Sequence, residues 1–337
     1  MEGLEGGNSS FRAPWGGWDK WMRYKKYKGC FQDRGYATVN GVRLRYRLSN
    51  PLRHITSDTK SKYRPRHAVI TPGGRSGGVE NDAFRMLRNA LLANGVSVLT
   101  WDRRNCGLSE LSFKYEDSLG RAEQDASDLH ELLRVLRIPS ATLIGQSAGG
   151  RMTLTFALAY PQLVNKIVLK NLTGGPLALK KLSKTYFKDP IKAAEKEGME
   201  GVGKIEFYQK LLRRGTKEFR EKRRKQLLNT DVKIFVDSLT RSEIFLQRAI
   251  DPILAFDSSR LSKITQPSLL VYDRKKTDGM HTEGVMEALR KALQSELIVD
   301  KNSPHGSVWI AKVVDFVTRD PTRVATRVGI HLPQSAL

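Results

Sequence analysis

Cysteine is almost missing from this chain, with Cys30 and Cys106 the two in 337 residues. Two thiols cannot build a disulfide framework or a cysteine-rich zinc site, so a reducing compartment, the cytoplasm or an organelle, is the simpler expectation. Long apolar runs are missing too. No stretch approaches the roughly 18 uninterrupted apolar residues of a membrane-spanning helix, which excludes that class of integral membrane protein. The first 28 residues lack the apolar segment of a secretory signal, and Glu2 and Glu5 argue against an organellar transit peptide. Acidic residues are the third deficit: 35 Asp and Glu face 58 Lys and Arg, for a formal net charge of +23. What remains, 39% hydrophobic with 28 Gly and 13 Pro, is the composition of a folded globular protein of one large or two moderate domains.

The excess charge is unevenly spread. Residues 1–67 hold 15 basic and 5 acidic side chains, and residues 180–230 hold 16 and 7, so two blocks carry nineteen of the 23 charges. Between and after them the chain is nearly balanced. Such blocks either keep a surface solvated or attract an anionic substrate or membrane surface; no recognised nucleic-acid motif accompanies them. In the first block Trp15, Trp18, Trp21, Tyr24 and Tyr27 recur every three residues, a broad band expected to pack on the domain or lie in a lipid interface.

From Tyr36 the pattern becomes regular. YATV, then Asn40-Gly41, then VRLRYRL reads as a β-hairpin, with Asn-Gly supplying the positive φ angles of a tight turn. Val42, Leu44, Tyr46 and Leu48 alternate against Arg43, Arg45 and Arg47, which places the arginines on a wet face. Short Val/Ile/Leu runs then alternate with helical segments: strands at 67–70, 96–101, 141–145, 166–170, 267–272 and 296–300, helices near 83–93, 120–136, 149–160, 283–293 and 307–318. This predicts an α/β fold whose mostly parallel central sheet is covered by helices on both faces, with a long helical insertion from about 175 to 264.

Chemistry enters at Gly145-Gln146-Ser147-Ala148-Gly149-Gly150, a G-x-S-x-G placed between a strand and a helix. A serine there sits on a strained turn that lifts its hydroxyl above the sheet edge, and Gly145 and Gly149 are needed where strand and helix pack too closely for a Cβ. A serine hydroxyl needs a base, and the base needs an acid to orient it. His305, in NSPHGS after the last strand, is the expected base, with His281 the competitor; His54, His67, His130 and His331 stand in less suitable places. Asp278 is the expected acid, with Asp273 the alternative. Pro72-Gly73-Gly74 after the first core strand offers a backbone turn for an oxyanion, with Gly74 and Ala148 as the two N–H donors.

On these residues the sequence resembles an α/β-hydrolase from about Tyr36 to Val317. The hairpin at Asn40-Gly41, the glycine turn at Gly73-Gly74, GQSAGG and SPHGS match in order, and Asp102-Arg103-Arg104-Asn105-Cys106-Gly107-Leu108-Ser109 resembles the family's D-x-R-G-x-G-x-S turn with Asn105 for a glycine. The resemblance implies a core of residues 36–174 and 265–318, an N-terminal extension of 1–35, a helical cap of 175–264 that shapes the pocket, and a tail of 319–337. The segment NLTGGPLAL (171–179) looks like the proline-iminopeptidase-related branch.

The implied activity is hydrolysis of an ester, amide or related acyl bond through Ser147, His305 and Asp278, with neither cofactor nor metal. A prolyl-type aminopeptidase or a C–C bond hydrolase is the alternative within the fold, and an aspartate-dependent epoxide hydrolase or dehalogenase is disfavoured by the serine. The alternative outside catalysis is a binding or adaptor protein on a hydrolase scaffold, its basic blocks serving an anionic partner.

Overall fold

A computed structural model describes residues 30–51, 66–74, 77–81, 84–116, 119–249, 252–273, 278–300 and 307–319. The aromatic band at 15–27, His54, His305, His331 and residues 320–337 lie outside the described residues.

Eight strands form one sheet in the order β1-β2-β4-β3-β5-β6-β7-β8. The hairpin is β1 (Cys30–Val39) and β2 (Val42–Pro51), six residues longer at its start than the sequence pattern suggests. Asn40 and Gly41 turn it at φ 46° and 72°, both left-handed as a two-residue hairpin turn requires. β2 pairs antiparallel with β4 (Val96–Trp101). Beyond it β3 (Arg66–Thr71), β5 (Ala141–Gln146), β6 (Val164–Lys170), β7 (Ser268–Asp273) and β8 (Glu296–Asp300) all run parallel. The strictly buried β4, VSVLTW, shows why the strands read as apolar runs: both of their faces are covered.

One face is packed by α2 (Arg121–Val135), α3 (Ala148–Ala159) and α10 (Glu283–Leu293), whose Leu129, Leu132, Phe156 and Met286 are buried in one apolar cluster with residues of β5, β6 and β7. The other face is packed by α1 (Arg85–Ala93) and α11 (Ser307–Thr318), through Leu87, Leu91, Ile310 and Val313. The arginine face of β2 departs from expectation for this reason. Arg47 is buried rather than wet, because β2 is an interior strand facing α1, and its guanidinium donates to Glu80 at 3.1 Å.

Between β6 and β7 the chain inserts α4 (Gly175–Ser183), α5 (Asp189–Lys204), α6 (Glu206–Leu212), α7 (Lys217–Leu228), α8 (Val232–Gln247) and the short α9 (Ser258–Leu261). These helices share an apolar cluster of their own, in which Tyr208, Leu227 and Phe235 pack with Leu111 and Phe113 from the loop after β4. The basic segment 210–225 spans parts of α6 and α7, and most of its cations are exposed. Arg223 is the exception. It is fully buried and donates to the carbonyls of Gly107, Leu211 and Ser109 at 2.9–3.1 Å, tying the insertion to the Asp102–Ser109 turn.

Candidate active site

The carboxyl ends of β3, β5 and β7 converge beneath the helical insertion. At the end of β5 the chain turns into α3 through Ser147, whose φ of 51° and ψ of −119° lie outside the regions an L residue prefers, a strain of about 1–3 kcal/mol. The turn is over-determined by its neighbours. A Cβ on Gly145 would meet Gly149 O at 2.6 Å, one on Gly149 would strike Thr71 O, and one on Gly73 would meet Ser147 Cβ at 2.7 Å. The expected need for Gly145 and Gly149 is thus seen in the packing, and the glycine turn after β3 presses on the same serine.

His281 Nε2 stands 3.0 Å from Ser147 Oγ, and His281 Nδ1 stands 2.8 Å from Asp278 Oδ1. With the proton on Nδ1, the ring donates to Asp278 and accepts from the serine hydroxyl. The loop that does this is short. Asp278 O accepts from His281 N–H at 2.9 Å, Asp278 Oδ1 accepts from Met280 N–H at 3.0 Å, and Met280 O accepts from Gly174 N–H at 3.1 Å, so Asp-Gly-Met-His folds back on itself and is pinned to the start of the insertion. Partial burial would raise the Asp278 carboxyl, but the hydrogen bonds from His281 and Met280 outweigh it and hold the group below the usual carboxylate range.

Asp273 is engaged elsewhere. It pairs with Lys170 at 2.8 Å, and its backbone is clasped by the Asn171 side chain. Of the expected set, then, Ser147 and Asp278 come together through the imidazole of His281, the competitor of His305, while His305 itself lies outside the described residues. The sequence signal for it is Asp278-x-x-His281, a spacing of three just after a strand.

Gly74, with φ of 61°, and Ala148 both line a cavity of about 300 Å³ with Ser147 and His281. Ala148 opens α3, so its N–H is among those with no acceptor inside the helix. Arg103 fixes Gly74 by donating to its carbonyl, and is itself held by Asp125 at 2.8 Å. The apolar wall comes from the insertion, through Leu182, Tyr186, Phe187, Phe245 and Leu246. Arg151, four residues after the serine, also lines the cavity; sequence reasoning passed over it, although GGR directly after the G-x-S-x-G pattern displayed it. Among the described residues no group of three or more His, Cys, Asp or Glu could hold a metal ion, and no helix is long and apolar enough to cross a membrane.

Comparison with known proteins finds hydrolases of one fold. The chain is 30% identical to the human serine hydrolase BPHL over 133 residues, which cover 40% of each protein. It is 34% identical to the sn-1-specific diacylglycerol lipase ABHD11 of Xenopus tropicalis over 119 residues, covering 35% of this chain and 34% of the lipase. The chain therefore matches well under half the length of either relative. Among solved structures, the enol-lactonase from Burkholderia xenovorans LB400 superposes with a TM-score of 0.52 at 21% identity, over 85% of this chain and all of that one, a likeness of fold. The family model described as the alpha/beta hydrolase fold matches residues 68–311. With an eight-stranded sheet, a strained serine at the β5–α3 turn and a match over most of its length, the chain belongs to the α/β-hydrolase family.

Proposed function

We propose that the protein is a serine hydrolase that cleaves an ester or related acyl bond, with Ser147 as nucleophile, His281 as general base and Asp278 as the acid that orients it. The observation that carries this reading is the unbroken relay from Ser147 Oγ through His281 to Asp278, with both links at 2.8–3.0 Å, placed at the mouth of an apolar cavity. The printed activities of the two relatives, a serine hydrolase and a diacylglycerol lipase, support an acyl substrate.

In this mechanism Ser147 Oγ attacks the acyl carbon while its proton passes to His281 Nε2. The carbonyl electron pair moves onto oxygen, where the N–H groups of Gly74 and Ala148 stabilise it. Collapse of the tetrahedral adduct expels the leaving group, which takes the proton back from His281. Water then enters by the same route in reverse, giving the acid and free Ser147. The insertion between β6 and β7 serves as the cap that selects the acyl group.

A fluorophosphonate probe tests the relay. The wild type is expected to label, Ser147→Ala to fail, and His281→Ala to label at least about 100-fold more slowly, the usual worth of a general base, while His305→Ala keeps the wild-type rate. Slow labelling in His305→Ala with normal labelling in His281→Ala would reassign the base to His305. A folded wild type that neither labels nor cleaves acyl esters or aminoacyl amides would overturn the hydrolase reading and favour a binding protein on the same scaffold.

A further inference from the structure

Most buried arginines among the described residues meet a carboxylate, but Arg223 and Arg151 do not: Arg223 is capped by backbone carbonyls, whereas Arg151 lines the cavity beside Ser147. Arg103 faces Asp125 at 2.8 Å, and Arg104 makes two bonds of 2.6 Å to Asp128. Arg151 is 6% exposed and meets no carboxylate among the described residues. Its Nη2 donates to Thr173 Oγ1 at 2.9 Å and to Thr173 O at 3.3 Å, and its Nε has no partner. Burial alone pushes this guanidinium down to about 10, so at neutral pH it still holds its charge. An unpaired charge in a low-dielectric site is costly unless something brings the opposite charge to it.

The surroundings do not supply that charge. Arg151 lines the same cavity as Ser147 and His281, together with Arg103 and Arg121. Those two share one carboxylate, Asp125, at 2.8 and 3.6 Å. Three guanidiniums thus face one carboxylate across the cavity wall, and the rest of the wall is mainly aliphatic and aromatic. Such a site suits a hydrocarbon body carrying one negative charge better than a fully hydrated phosphate dianion.

We propose that Arg151 is the specificity determinant of this site, binding a carboxylate on the acyl substrate; the assignment rests on Ser147 being the nucleophile. Ser147 stands just before α3 and Arg151 closes its first turn, the Arg151 N–H donating to Ser147 O at 3.2 Å, and both residues line the same cavity. The carboxylate is therefore separated from the scissile carbonyl by a short chain of a few atoms, and half-esters of short dicarboxylic acids fit the spacing.

The test compares monomethyl glutarate with methyl pentanoate, which have similar length and differ by one charge. Wild-type kcat/KM is expected to favour the charged ester by at least about 30-fold, the worth of a charge-assisted hydrogen bond, with most of the difference in KM. In Arg151→Met the preference is expected to fall to within about 3-fold, and Arg151→Lys to restore part of it by keeping the charge. A purely structural Arg151 would lower both substrates together and leave their ratio intact, which overturns the proposal, as does a wild type with no preference.

Glutarate binding to Ser147→Ala, measured by calorimetry, reads the same subsite without turnover. Binding is expected to weaken at least about 10-fold on adding Arg151→Met and by less on adding Arg151→Lys, which keeps the charge; no binding in Ser147→Ala overturns the proposal. A labelled, active enzyme indifferent to charge sinks this inference alone, whereas an unlabelled protein that still binds glutarate through Arg151 sinks the hydrolase reading and keeps the anion site.

Discussion

The turn Asp102–Ser109 and the start of α3, Ser147–Arg151, both leave the carboxyl ends of inner strands, both hold a non-glycine residue at positive φ and both bury arginine. They differ in what their polar groups meet. In the turn, Asp102 accepts from the N–H groups of Val79 and Leu108 at 3.0 and 2.8 Å, and Asn105, at φ 60°, exchanges two bonds with Ser112 at 2.8 and 2.9 Å. Arg104 is locked to Asp128 and Ser109 Oγ accepts from Arg45 N–H at 2.8 Å. At the start of α3 a non-glycine residue again stands at positive φ, but Ser147 and Arg151 line a cavity. A turn whose polar groups, Arg103 at the cavity wall excepted, close on one another is scaffold; one whose polar groups face a cavity is a candidate site.

Substitutions should separate the two regions by what they destroy. Ser147→Ala is expected to cost at least about 10⁴-fold in kcat/KM while melting within a few degrees of the wild type, because only the hydroxyl of the proposed nucleophile is removed. Wild-type-like turnover in that variant would end the comparison. Arg104→Met is expected to do the reverse. Breaking a buried pair strands the Asp128 carboxylate and costs about 3–5 kcal/mol, read as a fall in denaturation midpoint, with the ratio of charged to neutral ester hydrolysis unchanged. A changed ratio would mean that the closed turn also speaks to the substrate.

Much of this was legible in the sequence, and the failures are physical. Strands 96–101 and 296–300 agree to the residue with the observed β4 and β8, because continuous apolar runs between helical segments admit few other readings. Ser147 and Asp278 were legible from the strand-to-helix pattern and from Asp-Gly after a strand. The approach of His281 was not, since sequence order places both it and His305 after β7, and the fold-back of Asp278–His281 that brings its ring to the hydroxyl is visible only in three dimensions. Arg47 was misplaced because period-two alternation cannot tell an exposed face from one covered by α1. The role of Arg151 was hidden for a related reason: an unpaired charge is visible only when its absent neighbours are known.

Asp278 gives a smaller test of the open region. Its carboxyl is half exposed in the relay, 51% by side-chain area, so Asp278→Asn is expected to lower kcat/KM by about 10–100-fold, less than a fully enclosed triad acid would. Because the hydrogen bonds from His281 and Met280 hold the folded carboxyl below its usual range, its contribution to stability is fully present above the unfolded value of about 4 and is lost as pH falls through the folded one. An acid limb of the activity profile near neutral pH would therefore not be the titration of Asp278, and the Asn variant should retain such a limb while its height falls. Disappearance of the limb in the Asn variant would assign it to the carboxylate.

The helix α7 repeats the comparison on the smallest scale. Arg223 and Arg224 are adjacent, yet Arg223 caps three carbonyls from inside the protein and Arg224 reaches Glu200 at 3.7 Å across solvent. Arg223→Met leaves those carbonyls without donors and is expected to cost about 2–3 kcal/mol, loosening the insertion from the Asp102–Ser109 turn. Arg224→Met is expected to change the midpoint by less than about 0.5 kcal/mol, as exposed pairs do. Equal effects from the two would show that the basic block acts as one charged surface and that the burial of Arg223 adds nothing; a gap of the expected size assigns the stability to a single guanidinium.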